Sequence, residues 1–369
     1  MAIVTALQFS PSSGAMICDE EYWYLRRRRS YFLDNLRQII PEDIAEKLGI
    51  EAAYGGFGHP GFHEEVLNRS RKAIRDAFEN RPSSDSDTPA LADLESIAMI
   101  IRQAIEDTRR RRIDDMLRFL YGFTVDDLNR QQFTENGQTY DIKQDKVLSE
   151  ARKLMNYDTK NNMTNAIFKN KAIVIGYDPE HHFRAFHLNA ENTVCSLVSG
   201  GFEAIGAGLY GAGIEFSRIM NHLTLDERRN GFDEVWGMIA LFEATMKAFD
   251  HFHEVGGGLN LVYINGSGKN HKNRYKEISD APTRLAREMV NARIHGFISY
   301  DKLYPLMEDI LFNDKSLQYV DKKFFESVND QENTRKLLRG YKFQPYPQKP
   351  GSNKSKKSGI QLQKSGGKK

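Results

Sequence analysis

The chain has 369 residues, of which 40% are hydrophobic and 28% are charged, a length and balance that predict a folded protein with a sizeable core. The formal net charge of +2 is unevenly placed, because the tail Gln344–Lys369 carries seven lysines and no acid, which leaves −5 on the rest. A body of that charge excludes the basic surface expected of a nucleic-acid-binding protein, so any such contact is expected from the tail alone.

Two features predict the cellular compartment. Cys18 and Cys195 each lie in an apolar, strand-like segment, which favours buried thiols over a disulfide framework. The first apolar stretch has no basic residue before it and is interrupted by Ser10–Gly14, and no run of about 18 apolar residues occurs. We therefore expect a cytoplasmic protein without a secretion signal and without a membrane span.

The first nineteen residues predict a β-hairpin. Residues 2–9 are apolar on both strand faces, Ser10–Gly14 form a turn, and the second strand ends at Asp19. A strand with two apolar faces lies between two layers rather than at a wet edge. A hairpin at a free amino terminus can also be catalytic, with the first residue as nucleophile and base, yet neither Met1 nor Ala2 carries a nucleophile.

The next segments predict a pair of helices and an insertion. Glu51–Gly61 is a glycine-dense turn that leads into a first helix, and Thr88-Pro89 begins a second one with an apolar stripe from Leu94 to Ile105. From residue 109 to 169 the periodicity weakens. Because a helix-to-strand connection is usually only a few residues long, we interpret this span as an inserted, mostly helical subdomain.

The second half predicts strands, then two helical stretches, then a strand. Three short strands in residues 172–198 predict an antiparallel meander, and Ser199-Gly200-Gly201 is expected to begin a helix. A polar loop at 221–230 precedes a helix with Val235 to Phe249 on its apolar face, and a strand is expected at Leu259–Asn265. Helices are expected from Ala281 onward.

This order of elements predicts an α+β protein. It fits a four-layer αββα sandwich of two antiparallel sheets better than a βαβ repeat, which would alternate single strands with single helices. The expected organisation is a core of residues 1–108 and 170–268, the inserted subdomain at 109–169, a helical extension at 269–343 and a disordered basic tail at 344–369.

Five segments in this order resemble proteasome β subunits and their bacterial relative HslV, members of the Ntn-hydrolase superfamily. The segments are Ala2–Leu7, Gly14–Asp19, Val198–Gly201, Leu223–Glu227 and Gly257-Gly258 with the strand that follows. The similarity covers about residues 2–108 and 170–268. It implies the αββα sandwich and assembly into a ring or homo-oligomer with related subunits, with an ATPase partner left open and no membrane contact.

The resemblance also implies a catalytic site. The family uses an amino-terminal threonine hydroxyl with its own α-amine as base, together with an aspartate, a lysine and backbone amides. Asp19 matches the aspartate and Ser199 matches a serine beside the nucleophile. The nucleophile position falls on Met1 or Ala2, the lysine position falls near Asn35, and no lysine occurs from Met1 to Pro41. The family's later Asp-x-x-Ser-Gly-Gly element is replaced by residues 250–258, which begin with Asp250 and have no serine.

Two functions follow from this match. The first is a proteasome-like subunit that is catalytically silent at the usual site and works in a ring or as a scaffold. The alternative is an active amidohydrolase or peptidase in which cleavage after Val4 exposes Thr5 as nucleophile and base, with Asp19 orienting charge and Ser199 completing the hydrogen bonds. A chain that begins at Ala2 supports the first, and one that begins at Thr5 supports the second.

Three further motifs are assigned to structure rather than to a ligand. Gly206–Gly211 satisfies G-x-G-x-x-G, but no second parallel strand with an acid follows, so close helix packing is favoured over a dinucleotide. Asn265–Lys269 lacks the first glycine and the Ser or Thr of a phosphate loop. His251, His253 and Glu254 are not spaced for one ligand on a helix. No cofactor and no metal are therefore predicted.

Overall fold

The computed structural model describes residues 3–19, 21–24, 27–30, 35–80, 91–142, 145–155, 167–192, 194–251 and 258–339. Within these residues the protein is α+β, with two five-stranded antiparallel sheets and many helices, as the order of elements predicts. The basic tail and the motif residues His253 and Glu254 lie outside the described residues. No helix of the described part is long and apolar enough to cross a membrane.

The first sheet has the strand order β12-β1-β2-β13-β14, and the amino-terminal hairpin forms its centre. Its strands are β1 (Ile3–Gln8), β2 (Ser13–Asp19), β12 (Phe202–Gly206), β13 (Leu259–Asn265) and β14 (Tyr275–Ile278). The predicted first hairpin is confirmed, since β1 and β2 pair antiparallel with Val4 opposite Cys18 and Gln8 opposite Gly14. Both strands are almost entirely buried, which agrees with their two apolar faces.

The second sheet has the order β11-β10-β9-β6-β5. Its strands are β5 (Leu36–Gln38), β6 (Glu51–Phe57), β9 (Lys171–Asp178), β10 (His182–Asn189) and β11 (Val194–Leu197). Since β9, β10 and β11 are consecutive neighbours, the predicted meander is confirmed. Two small hairpins stand apart from the sheets: β3 (Glu21–Tyr24) with β4 (Arg27–Ser30), and β7 (Gln132–Glu135) with β8 (Gln138–Asp141).

The helices fall into groups along the chain. The first group is α1 (Glu42–Leu48), α2 (Pro60–Glu79), α3 (Leu94–Tyr121), α4 (Val125–Arg130) and α5 (Asp145–Met155). The second is α6 (Leu209–His222), α7 (Leu225–Asn230) and α8 (Glu234–His251). The last is α9 (His271–Arg274), α10 (Asp280–Ile294), α11 (Tyr300–Leu311), α12 (Leu317–Ser327) and α13 (Gln331–Arg339).

The buried apolar residues form separate clusters. One cluster joins inward-facing residues of the two sheets, such as Val4 and Met16 with Ile173 and Ile175. A second joins Ile3 and Ile17 of the first sheet to α6, α8 and the carboxyl-terminal helices, and a third joins the second sheet to α2 and α3. Strands that touch a cluster on both faces need apolar side chains on both, which is the pattern that β1 and β2 carry.

The glycine-dense segment after residue 50 is a strand, so the predicted turn at Glu51–Gly61 is wrong. Residues Glu51–Phe57 pair with β9 along their length and are mostly buried. A Cβ atom on Gly55 would lie 2.7 Å from a methyl of Val4 and 2.9 Å from the sulfur of Met16. Gly55 therefore serves close contact between the sheets, a reason that local turn propensity cannot reveal.

Two further predictions are wrong. Ser199-Gly200-Gly201 does not begin a helix, because residues 198–201 form the turn between β11 and β12, and the helix begins only at Leu209. The predicted loop at 221–230 contains the short helix α7, whose capping box joins Thr224 and Glu227. The turn at residues 198–201 and the short helix α7 both depend on local hydrogen bonds, which the periodicity of apolar residues does not predict.

The span predicted as an insertion begins inside a continuous helix. The 28-residue α3 runs through residue 109 to Tyr121, where Gly122 ends it in the left-handed conformation. Leu117, near the end of α3, belongs with Phe123, Leu128 and Phe168 to a small apolar cluster of its own. The inserted subdomain at 109–169 stays a prediction, and its first boundary falls inside α3.

Candidate functional site

Asp19 is fully buried at the end of β2, beside the first described residue of β1. Its Oδ1 accepts a hydrogen bond of 2.7 Å from the backbone N–H of Ile3. Its carbonyl oxygen accepts weaker bonds of 3.4 Å from Cys18 Sγ and from Asn35 Nδ2. Asp19 thus fixes the start of β1 against β2 and lies where the resemblance expects a catalytic aspartate.

Asn35 occupies the place where the resemblance expects a lysine. It lies directly before β5, its side chain reaches the Asp19 carbonyl, and its own carbonyl accepts from the N–H of Gly56. An amide supplies hydrogen bonds here but no positive charge.

Lys171 is a cation at the start of β9 that sequence reasoning did not select. It begins β9 opposite Phe57, on the strand face that it shares with Ile173 and Ile175 of the inter-sheet cluster. Lys171 is more than one hundred residues from the hairpin in sequence. Only the order of strands in the sheet determines where it lies, so the spacing of residues along the chain cannot predict its position.

Thr5 lies in the middle of β1 and is fully buried. Its Oγ1 is 2.6 Å from Thr245 Oγ1, and Thr245 Oγ1 donates to the carbonyl of Leu241 at 2.8 Å. Since Thr245 uses its own proton for Leu241, the Thr5 hydroxyl is the donor between the two threonines. The Thr5 hydroxyl therefore points to α8 and shares the helix-facing side of β1 with Ile3 and Leu7.

Ser199 lies at the opposite end of β1 from Asp19. It is exposed in the turn between β11 and β12, and this turn is held to β1 where Gln8 N–H donates to the carbonyl of Gly201 at 2.8 Å. Five residues of strand at about 3.3 Å each place the two ends of β1 roughly 17 Å apart. Asp19, Thr5 and Ser199 thus occupy one end, the middle and the other end of the same strand, and they do not form one cluster.

A second polar group is buried between β6 and α2. Tyr54 Oη lies 2.6 Å from His63 Nδ1, and both side chains are buried. Burial lowers the pKa of His63 to about 4, so the neutral imidazole accepts from the tyrosine. His59, four residues earlier on the helix start, donates its backbone N–H to Asn170 Oδ1. The pair of Tyr54 and His63 joins α2 to the second sheet, and sequence reasoning did not select either residue.

A third polar group ties the region after β13 to β6. Glu51 is fully buried, with Oε2 at 2.8 Å from His271 Nδ1 and Oε1 at 3.0 Å from Arg274 Nε. Burial raises the pKa of the Glu51 carboxyl, and the two basic partners oppose that shift. Because each carboxylate oxygen of Glu51 is bound by a basic side chain, this group holds the three segments together.

The other motifs take structural positions. Gly208 has φ of +86°, and a Cβ there would lie 2.7 Å from that of Ala248, so G-x-G-x-x-G serves the close packing of α6 on α8 that the sequence favoured. Asn265–Lys269 form the turn after β13. Cys195 is half-buried, and burial raises the pKa of its thiol to about 11, which makes it unreactive.

No family model and no curated protein matches the chain. Among solved structures the chain is similar to Anbu (ancestral beta-subunit) from Yersinia bercovieri, with 11% identity, a TM-score of 0.48, and coverage of 80% of this chain and 94% of that one. It is also similar to a Gly-1 mutant of Anbu from Hyphomicrobium sp. strain MC1, with 11% identity, a TM-score of 0.47, and coverage of 80% and 96%.

These comparisons correct the resemblance stated from the sequence. The assignment to proteasome β subunits and HslV was wrong, since the similar structures are Anbu proteins, a distinct group described as ancestral beta-subunits. The five matched segments are short and do not distinguish relatives that share an order of elements.

Proposed function

We propose that this chain is a catalytically silent subunit of a cytoplasmic homo-oligomer, built on a four-layer αββα sandwich of the Ntn-hydrolase type. The observation that carries the proposal is the buried hydrogen bond between Thr5 and Thr245, which keeps the one early threonine hydroxyl inside the helix–sheet interface. The likeness to ancestral beta-subunits is compatible with such a subunit, and the argument below uses only this chain's residues.

Amide hydrolysis by an amino-terminal residue needs a hydroxyl, a base and donors for the oxyanion at one point. Ala2 has no hydroxyl, and the hydroxyl of Thr5 donates to Thr245 on the helix-facing side of β1. Asp19 uses Oδ1 to hold the backbone of Ile3. The hydrogen bonds of Thr5 and Asp19 support a role in fixing the position of β1 rather than in catalysis.

Exposed apolar residues on α6 support self-association. Tyr210 and Ile214 are each 73% exposed and lie four residues apart, so they share one face of the helix. Leu225, at the start of the next helix, is 68% exposed. Two large exposed apolar side chains on one helix face support an interaction site there. A second copy of this chain would remove them from water.

Silence at the amino terminus is tested by the intact mass and the amino-terminal sequence of the purified protein. We expect a chain that begins at Met1 or Ala2 and that hydrolyses no fluorogenic peptide amide. A chain that begins at Thr5, with hydrolysis abolished by Thr5→Val, would refute the silent subunit and support the active amidohydrolase.

Self-association is tested by native mass spectrometry. We expect a homo-oligomer for the unmodified protein and smaller species for Tyr210→Glu with Ile214→Glu. Phe119→Glu is the matched control, since Phe119 is 83% exposed on α3 and distant in sequence from α6. A monomeric unmodified protein would refute the proposal, as would equal effects of both variants.

A further inference from the structure

The strand β11 (Val194–Leu197) is an edge of the second sheet, and most of its residues are exposed. It pairs on one side with β10, while β12, the corresponding edge of the first sheet, packs against β9 and β10. β11 therefore extends past the edge of the first sheet. Val194 is 45% exposed and Leu197 is 56% exposed, so two large apolar side chains meet water on one short strand.

The hydrogen-bond pattern of β11 directs the backbone groups of two residues outward. In an antiparallel pair, residues that bond to the neighbouring strand alternate with residues whose backbone groups point away from it. Val198 N–H donates to the Ala185 carbonyl at 2.9 Å, in the register that places Leu197 opposite Phe186. Cys195 and Leu197 fall at the alternate positions. Their N–H and C=O groups point to the outer side of β11, where they meet no partner among the described residues.

β11 lacks the features by which edge strands usually avoid pairing. Natural edge strands are protected by charged residues, by proline or by bulges. Each of the other edge strands of the two sheets carries a charge, namely Arg37 in β5, Glu203 in β12 and Lys276 in β14. The sequence of β11 is Val-Cys-Ser-Leu, with neither a charge nor a proline. Of the edges in the described part, β11 is thus the best suited to pair with a further strand.

The helix face beside β11 has charges that suit a second copy in the reverse direction. Burial raises the pKa of the Cys195 thiol, and Arg102 and Glu95 of α3 also act on it, so both side chains lie near β11. They are seven residues apart and share one face of α3, with Met99, 43% exposed, between them. A two-fold axis reverses the direction of the second α3, which brings the acid of one copy toward the base of the other.

We propose that β11 pairs with β11 of a second copy of this chain, antiparallel about a two-fold axis beside Ser196. Cys195 of each copy then lies opposite Leu197 of the other. Each of these residues donates once and accepts once, so four hydrogen bonds form across the axis. The two second sheets become one continuous sheet of ten strands. This pairing rests on the self-association proposed above and adds a contact on a different element from Tyr210 and Ile214.

Ser196→Cys tests the register. Residues opposite each other at a non-hydrogen-bonded position have Cα atoms about 4.5 Å apart, which is within the range for a disulfide. On mild oxidation we expect a covalent dimer, and peptide mapping should place the bond between the two introduced thiols. Ser199→Cys is the matched control, because Ser199 is also exposed and three residues from the axis its two copies would be about 20 Å apart. The unmodified protein controls for Cys18 and Cys195.

Leu197→Lys tests the pairing without a cross-link. A lysine on the edge strand should raise the Kd for dimer dissociation at least about tenfold, measured by analytical ultracentrifugation. Leu337→Lys is the control, since Leu337 is 48% exposed on α13. Amide hydrogen exchange gives a second measurement. We expect the Cys195 N–H to exchange slowly in the dimer and to lose this protection in Leu197→Lys.

The absence of a covalent dimer from Ser196→Cys, or an equal yield from Ser199→Cys, would overturn the proposal. Protection of the Cys195 N–H that persists in monomeric Leu197→Lys would also overturn it, because another segment of this chain would then cover the edge. If Tyr210→Glu with Ile214→Glu reduces the oligomer and the β11 variants do not, self-association through α6 stands and the pairing of β11 fails. The reverse result supports the pairing of β11 and refutes the contact through α6.

Discussion

Glu51 and Glu243 are both buried glutamates beside an arginine, yet their surroundings differ. Glu51 lies where three segments meet, and His271 and Arg274 engage both of its oxygens. Glu243 lies between helices beside a cavity, where its Oε1 and the Nε of Arg293 lack good hydrogen bonds among the described residues. The basic partners of Glu51 bind both of its oxygens, whereas the pair of Glu243 and Arg293 keeps two buried polar atoms without a well-formed hydrogen bond among the described residues.

The largest expected effect separates the two arginines. Arg274→Met leaves the charge of Glu51 buried against His271 alone and should lower the free energy of unfolding by about 3–5 kcal/mol. Arg293→Met should cost only about 1–3 kcal/mol, because Arg293 is one-third exposed and Arg218 remains near Glu243. Urea denaturation at one protein concentration measures both. Equal losses would break the distinction.

His63 is an intermediate case, since one of its nitrogens is paired with Tyr54 and its Nε2 has no hydrogen-bond partner among the described residues. Burial lowers the pKa of His63 from 6.5 to about 4, so the unfolded chain takes up the proton first. The stability that this provides is present above pH 6.5 and is lost as the pH falls through about 4, a loss of about 3 kcal/mol.

Unfolding measured between pH 7 and 4 checks this dependence on His63. His63→Gln keeps an acceptor for Tyr54 without titrating and should flatten the pH profile, while His295→Gln at an exposed position should leave the profile unchanged. An unchanged slope in His63→Gln would show that other groups cause the loss.

Thr5 and Thr245 are uncharged, and their hydroxyls hydrogen-bond to each other. They therefore test how much a buried hydrogen bond contributes to stability when no ionised group takes part. Thr245→Val leaves the buried Thr5 hydroxyl without its acceptor and should cost about 1–3 kcal/mol. Thr5→Val combined with Thr245→Val removes both polar groups and should recover most of that loss. A double variant that loses the sum of the two single changes would contradict the paired geometry.

The smallest expected effect concerns Glu243. Burial raises the pKa of its carboxyl above 4.5, so the folded state binds a proton more readily than the unfolded chain. Its contribution to stability is therefore complete below pH 4.5 and is lost as the pH rises through the raised pKa. Glu243→Gln should remove this decline, measured by thermal unfolding from pH 4 upward. A steeper decline in the variant would contradict the raised pKa.

The sequence predicted the parts of the fold that depend on regular patterns. The first hairpin, the meander of β9 to β11, the helices α2 and α8 and the strand Leu259–Asn265 all have periodic or continuous apolar residues. The class α+β followed from their order. The prediction from sequence was wrong at Glu51–Phe57, where glycines indicated a turn but the residues form a strand. It was also wrong at Ser199–Gly201, where a helix start was expected but the residues form a turn between two strands.

The candidate site was predictable only at residues adjacent in the chain. Asp19 was selected from the resemblance, and periodicity predicted only the hairpin that ends at this residue. The partner of Thr5 is 240 positions away, and Arg274 reaches Glu51 across 223 positions. No sequence spacing encodes such contacts.

By itself the sequence determined which segments are strands with two apolar faces and which helices have one apolar side. It also determined that Ala2 carries no nucleophile and that the stretch Met1–Pro41 contains no lysine. Tertiary structure alone decided that Thr5 faces a helix, that Ser199 lies at the far end of β1, and that Glu243 and Arg293 meet beside a cavity. The physical reason is that propensity and periodicity act over a few residues, whereas burial, hydrogen-bond pairing and cavity shape arise only when distant segments pack together.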